Sequence, residues 1–250
     1  MAVAEHLSLV RGGVAALAGW RDEHPYDRLE LDGADLKGAD LRTALLSPAN
    51  LHGADLRGAN LEGAELTGSN LHGADITGCN LRGAGLKGAN LAEAHGARAD
   101  FSHADLERAD LSWADLRAAT LSEANLRGAD LINADLTGAD LREADLQGAV
   151  LVSTRLDRAC LSHAKLAGAD LINASLCNAD LSAASLLDAR LIDADLTSAD
   201  LTRAVLSDVE MSHLNRARLT AADLSDARLI DSDFSEADLR DANLSEADLR

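Results

Sequence analysis

Side chains able to do chemistry are plentiful in this chain but dispersed: eight histidines, three cysteines and 42 acidic residues are spread over 250 positions. His52 and His72 stand out, because each sits in the same local frame, LHGAD, twenty residues apart. Two imidazoles brought together can ligate a divalent metal, with Glu93 the candidate third ligand; the plainer alternative is a pair of surface histidines. Cys79, Cys160 and Cys177 are odd in number and lack C-x-x-C spacing, so neither a disulfide framework nor a zinc site is indicated. A reducing, cytoplasmic setting follows. None of these residues lies in a nucleophile motif, and the expectation is no catalytic residue, no resident metal and no cofactor.

Whether such residues meet depends on the elements that carry them. Hydrophobic residues make up 47% of the chain, ample for a core, yet aromatics are only 2%, so the interior must be built from Leu and Ala. A formal net charge of −19 sets the chain against direct binding to nucleic acid or an anionic membrane, since phosphates would be repelled. A basic partner suits it better. No apolar run approaches a membrane span, and MAVAEHLSLVRGG lacks the basic and apolar regions of a signal peptide.

One period dominates. A large apolar residue recurs at every fifth position from Leu31 to Met211, and again from Leu219 to Leu249, giving 44 units. Of these 44 centres 39 are Leu, and two positions earlier 38 are Ala; the residue between is Asp twenty times and Asn seven times. The consensus is A-(D/N)-L-x-x. A period of five fits neither a helix nor a flat sheet, because either would scatter the leucines over all faces. A solenoid keeps them together, with Ala and Leu inward and the Asp or Asn between them outward.

The A-(D/N)-L-x-x pattern resembles the pentapeptide-repeat family over residues 29–250. The resemblance implies an all-β solenoid, a right-handed quadrilateral β-helix of about eleven four-sided coils, in which residues twenty apart stack. His52 and His72 would then lie about 5 Å apart. Residues 1–28 read as a cap and lead-in: Val3, Leu7, Val10, Val14 and Leu17 follow the 3-4-3-4 spacing of one amphipathic helix, weakened by Gly12 and Gly13. Its expected role is to cover the first coil. Two irregularities are expected: a hole, bulge or wider corner at 94–98, where Gly96 replaces Leu, and one shortened side or small loop within 212–218.

With that stacking the outward residues sort by side. Asp35, Asp55, Asp75, Asp115, Asp135 and Asp195 share one side, interrupted by His95, Arg155 and Ser175. Asp40, Asp100, Asp140, Asp180 and Asp200 share the next. Two readings stand: the carboxylates bond corner backbone amides, as Asx residues do, or they form an acidic rod that mimics DNA. The second resembles the gyrase-binding branch of the family, and implies DNA gyrase or topoisomerase IV as partner in antibiotic or toxin resistance. A separate column, Ile132, Val152, Ile172, Ile192 and Ile230, with Val150 and Trp113 on the same side, reads either as a contact stripe for a protein partner or as a private ladder of stacked side chains. The last coil, with Leu239, Leu244, Leu249 and Arg250, is the candidate surface for a homodimer, since relatives often pair tail to tail.

Overall fold

Pentad 130–134 shows how the repeat closes on itself. Asp130 pairs in parallel with Asp110 on one side and Val150 on the other. The Leu131 amide donates to Val150 C=O (2.8 Å), the Asn133 amide to Val152 C=O (3.1 Å) and the Asp130 amide to Ala109 C=O (2.9 Å), while Ala134 closes the local turn onto Leu131 (3.0 Å). Turning within five residues puts the second corner residue at positive φ, +58° for Asn133. The computed structural model describes residues 3–211, 213–230 and 232–250, and this unit repeats from Glu30 to Asp248.

From Asn50 to Glu210 each bridge residue pairs with the one twenty before it, so four pentads make one coil. The first face carries Asp35, Asp55 and their successors, the second Asp40 and Asn60, the third Leu45 and Glu65, and the fourth Glu30, Asn50 and Asn70. Among the described residues the fourth face has twelve bridge positions and each of the others eleven. At about 4.8 Å per coil the rod is roughly 50 Å long. Its interior is a stack of Leu and Ala, nearly all fully buried from Leu31 to Leu229.

The cap is two short helices, α1 (Ala4–Arg11) and α2 (Val14–Glu23), rather than the single helix expected. The break falls at Gly12 and Gly13, the latter at φ +88°, where a helix cannot continue. Val10 and Leu17 are buried against the rod, and the Val3 amide and the His6 ring bond the backbone of Glu30. Arg21, only 6% exposed, donates to the carbonyls of His24, Asp27, Leu45, Leu46 and Pro48, tying α2 to the first coil. Burial pushes its pKa down from the ordinary arginine value, with the Asp27 charge opposing.

The two expected irregularities have different outcomes: 94–98 lacks the bulge or wider corner expected, whereas the interval after Met211 is the shortened side expected. His95 bridges Asp75 and Asp115 in unbroken register, so 94–98 is an ordinary corner. A Cβ on Gly96 would stand 2.9 Å from Leu116 Cδ2 and 3.3 Å from Ile76 Cδ1: the neighbouring side chains of the column occupy the missing leucine's space. Further on, His213 pairs with Asp195 at a spacing of eighteen, and Leu214 is a fully buried centre. Two residues are thus lost between Met211 and Leu214, and 213–218 contains no loop.

Positive φ at the second corner suits glycine, which supplies it at Gly63 and Gly83, whereas Ala183 holds φ +56° on the same corner. Since the left-handed region is strained for alanine, Ala183→Gly should raise stability by about 0.5–1 kcal/mol and Gly83→Ala lower it comparably. Urea unfolding midpoints check this; the opposite order would contradict the strain argument.

Candidate interaction surface

Backbone acceptors serve four of the five amides in each pentad, and the first corner amide is left over. Where Asp or Asn holds the bridge position, its acceptor is that side chain. All 27 Asp and Asn residues at bridge positions accept, through Oδ1, from the amide two residues ahead, at 2.9–3.4 Å. Each of the eleven column aspartates is among them, from Asp35 on the Lys37 amide to Asp200 on that of Thr202. Where Ser175 takes the bridge position, Asp157 of the preceding coil serves the Cys177 amide instead, at 3.1 Å.

A second use follows from the same spacing. In D-L-R units the arginine reaches back over one residue and forks onto the aspartate: Arg117 Nε lies 2.8 Å from Asp115 Oδ1 and its Nη2 2.6 Å from Oδ2. Arg42, Arg57, Arg142, Arg240 and Arg250 do the same to Asp40, Asp55, Asp140, Asp238 and Asp248. Across coils Arg57 approaches Asp75, Arg155 approaches Asp135 and Arg218 approaches Asp200. Of the column acids, only Asp35, Asp100, Asp180 and Asp195 have no arginine in an ion pair with the carboxylate among the described residues. The Arg57 fork holds the Asp55 carboxyl at about 2, and the Arg142 fork lowers that of Asp140. Sequence reading missed these forks although D-x-R spacing announces them.

The histidine pair is brought together but not aimed at a common point. The His52 and His72 rings stack with centroids 5.5 Å apart and planes within 17°, while His52 Nδ1 is 2.8 Å from Asp32. Stacked rings send their in-plane lone pairs side by side rather than converging on one ion. Among the described residues no group of three His, Cys, Asp or Glu is placed to hold a metal. Cys79 is buried at an inward position, donates to Leu56 C=O and has its pKa pushed up to about 12 by burial; burial raises that of Cys177 to about 11.

Ile132, Val152, Ile172 and Ile192 stack at the corner between the fourth and first faces, joined by amide bonds from Asn133, Ser153 and Asn173 to the carbonyls of the next coil. They are half-buried, as is Val150, so the column is less open than an outward stripe. Ile230 rejoins the same corner and is 40% exposed; Trp113, on the preceding coil, is 64% exposed. The candidate position between Ile192 and Ile230, Ser212, lies outside the described residues. In the last coil Leu239 and Leu244 are half covered, Leu249 is 58% exposed, and Arg250 is engaged with Asp248.

The Pentapeptide repeats family model matches this chain in eight copies that together span residues 44–250. The chain belongs to the pentapeptide-repeat family. Membership implies the right-handed quadrilateral form of the β-helix described above. Among solved structures the chain is similar to HetL, a pentapeptide repeat protein involved in heterocyst differentiation regulation from the cyanobacterium Nostoc sp. Strain PCC 7120, with 32% identity over 92% of this chain and 94% of that one, at a TM-score of 0.48. It is also similar to QnrB1, a plasmid-mediated fluoroquinolone resistance protein, with 22% identity over 72% of this chain and 84% of that one (TM-score 0.47). A pentapeptide repeat protein of the Arabidopsis thaliana thylakoid lumen is 35% identical over 38% of this chain and 67% of its own, at a TM-score of 0.29. No curated protein sequence matches. Among the described residues no helix is long and apolar enough to cross a membrane.

The amide bond to Asp130 predicts that Asp130→Asn, which keeps the acceptor, changes stability by less than about 0.5 kcal/mol, while Asp130→Ala costs about 1 kcal/mol. Equal losses in chemical unfolding would refute this. Because carboxyls such as Asp55 and Asp140 titrate below their unfolded value of about 3.9, their contribution is complete above that value and lost as pH falls through it. Thermal stability should therefore decline from about pH 4 towards pH 2, and a rise over that interval would contradict it.

Proposed function

We propose that the chain is a non-enzymatic binding protein, a rigid rod that docks a protein partner through its corner side chains. The observation that supports this is the division of labour among the five positions of the pentad. Inward Ala and Leu fill the core, and the bridge Asp and Asn serve corner amides, which leaves the two corner positions free to vary. Chemistry-bearing groups are strung along corners instead of gathered: a trough of about 1000 Å³ beside the start of α2 has Arg42, Glu62 and Arg82 succeeding one another on its wall. The Ile/Val corner is the surface through which docking occurs, and the half-covered last coil, with Leu239, Leu244, Leu249 and Arg250, is the homodimer contact. Three unpaired cysteines fit a cytoplasmic setting.

A finer reading makes the rod a DNA mimic that occupies a DNA-binding groove of a type II topoisomerase, gyrase or topoisomerase IV, and protects it from a drug or toxin. The net charge of −19 favours it. The arginine forks on the column acids weigh against an unshielded acidic face.

A supercoiling assay, with and without a fluoroquinolone, separates the two: on the docking reading, protein at about micromolar concentration leaves gyrase unaffected, and protection or inhibition would instead support the mimic. For the docking surface, Ile172→Asp combined with Ile192→Asp should abolish partner capture or change the oligomer mass while far-ultraviolet circular dichroism stays unchanged. Retention of both would count against it.

A further inference from the structure

The fourth face changes character in its last coils. Its border with the third face carries, at the second corner position, Gly68, Gly88, Arg108, Gly128, Gly148 and Gly168, and then Asp188, Asp208, Asp226 and Glu246. Amide bonds from Asp188 to Ser207, Asp208 to Ser225 and Asp226 to Ser245 place the four acids on successive coils. All four are exposed, and none is in an ion pair or a side-chain hydrogen bond among the described residues. They differ in this from the bridge aspartates, whose carboxylates serve the backbone and in many cases hold an arginine.

Across the same face runs the apolar corner. Ile192, Ile230 and Met211 line a hollow of about 150 Å³, edged by Asp193, Glu210 and Arg228. Between the borders the charges are matched internally: Arg190 pairs with Asp170 at 2.7 Å, and Arg228 approaches Glu210 at 3.8 Å. The face therefore offers an aliphatic rail with a socket on one side and an uncompensated anionic rail on the other.

We infer that this face binds a cationic amphipathic α-helix of a protein partner, laid along the rod axis; this rests on the docking reading given above and names the partner's chemistry. Helix residues three or four apart are about 5–6 Å from one another, close to the spacing of about 4.8 Å between coils, so successive turns meet successive coils. One stripe of the helix puts aliphatic side chains against Ile192 and Ile230 and one of them into the socket. The neighbouring stripe sets Lys or Arg opposite Asp188, Asp208, Asp226 and Glu246. Anionic membranes and nucleic acids are repelled by the same rail.

The test is calorimetric titration of the full chain with a synthetic peptide of about fourteen residues, Leu at helical i, i+3, i+4, i+7 spacing and Lys elsewhere. It should bind, weaken as salt is raised, and bind at least about tenfold more tightly than a scrambled peptide of the same composition. Two variants should each lose about tenfold or more while keeping the wild-type circular dichroism: Asp188→Gly with Asp208→Gly and Asp226→Gly, which installs the residue that this corner carries in earlier coils, and Ile192→Ser with Ile230→Ser. Equal binding of the scrambled peptide, or full affinity in the triple glycine variant, overturns the inference. Tighter binding of a Leu/Gln peptide, lost in the isoleucine variant alone, would overturn the cationic partner but leave the docking surface standing. Binding of no peptide, with a doubled mass in sedimentation that Ile192→Ser abolishes, would assign the face to a second copy of this chain.

Discussion

The whole rod depends on one amide per pentad. A chain that turns every five residues and stacks on itself satisfies four backbone donors with backbone acceptors, and the geometry of the corner leaves the fifth with none. An outward Asp or Asn two residues earlier reaches it, and the 27 residues of these types at bridge positions all do so. Leaving such a donor without an acceptor costs about 1–3 kcal/mol when it is shielded from water. Repeated over eleven coils, that requirement favours Asp or Asn at the bridge positions.

Acidity in this molecule thus has two sources. Carboxylates at bridge positions follow from the architecture, accept amides, and are often held by arginines placed two residues ahead. Those at second corners, of which Asp188, Asp208 and Asp226 are examples, do nothing for the backbone and sit where glycine would be less strained. A net charge of −19 conflates the two. Second-corner acids without an ion pair, such as these three, carry charge that neither the backbone nor an arginine uses, which is why column membership alone says little about binding.

Much of the fold was legible in the sequence because the period is strict: five-residue spacing fixes which side chains point inward, and stacking at twenty orders the faces. The errors arose where a local rule overrode the pattern. A glycine pair read as a weak spot in one helix in fact ends one and begins another, since Gly13 takes a φ no continuing helix permits. Gly96 looked like a gap, yet flexible ends of Leu116 and Ile76 fill it. Leu214 escaped notice because a deletion of two residues put it out of phase with a count by fives. Buried Arg21 gave no periodic signal at all; its five carbonyl acceptors come together only when the first coil and α2 are assembled. The candidate surface was partly legible, in that the Ile/Val corner follows from the register, whereas its half-burial and the socket beside Ile230 depend on how the corner side chains lie.

Each coil bonds the coil above and the coil below through the same set of amides and carbonyls, so a shift along the axis by one turn carries the backbone onto itself. The loss of two residues near Met211 is absorbed at a single corner, and the coils beyond resume their pairing at once. Distance along this molecule is therefore counted in whole turns, each of about 4.8 Å and normally twenty residues. Insertion or removal of a turn would move everything beyond it by a fixed step while leaving both halves intact. Such a chain is a graduated ruler, and the separation of any two surface features on it is an integer that evolution can edit.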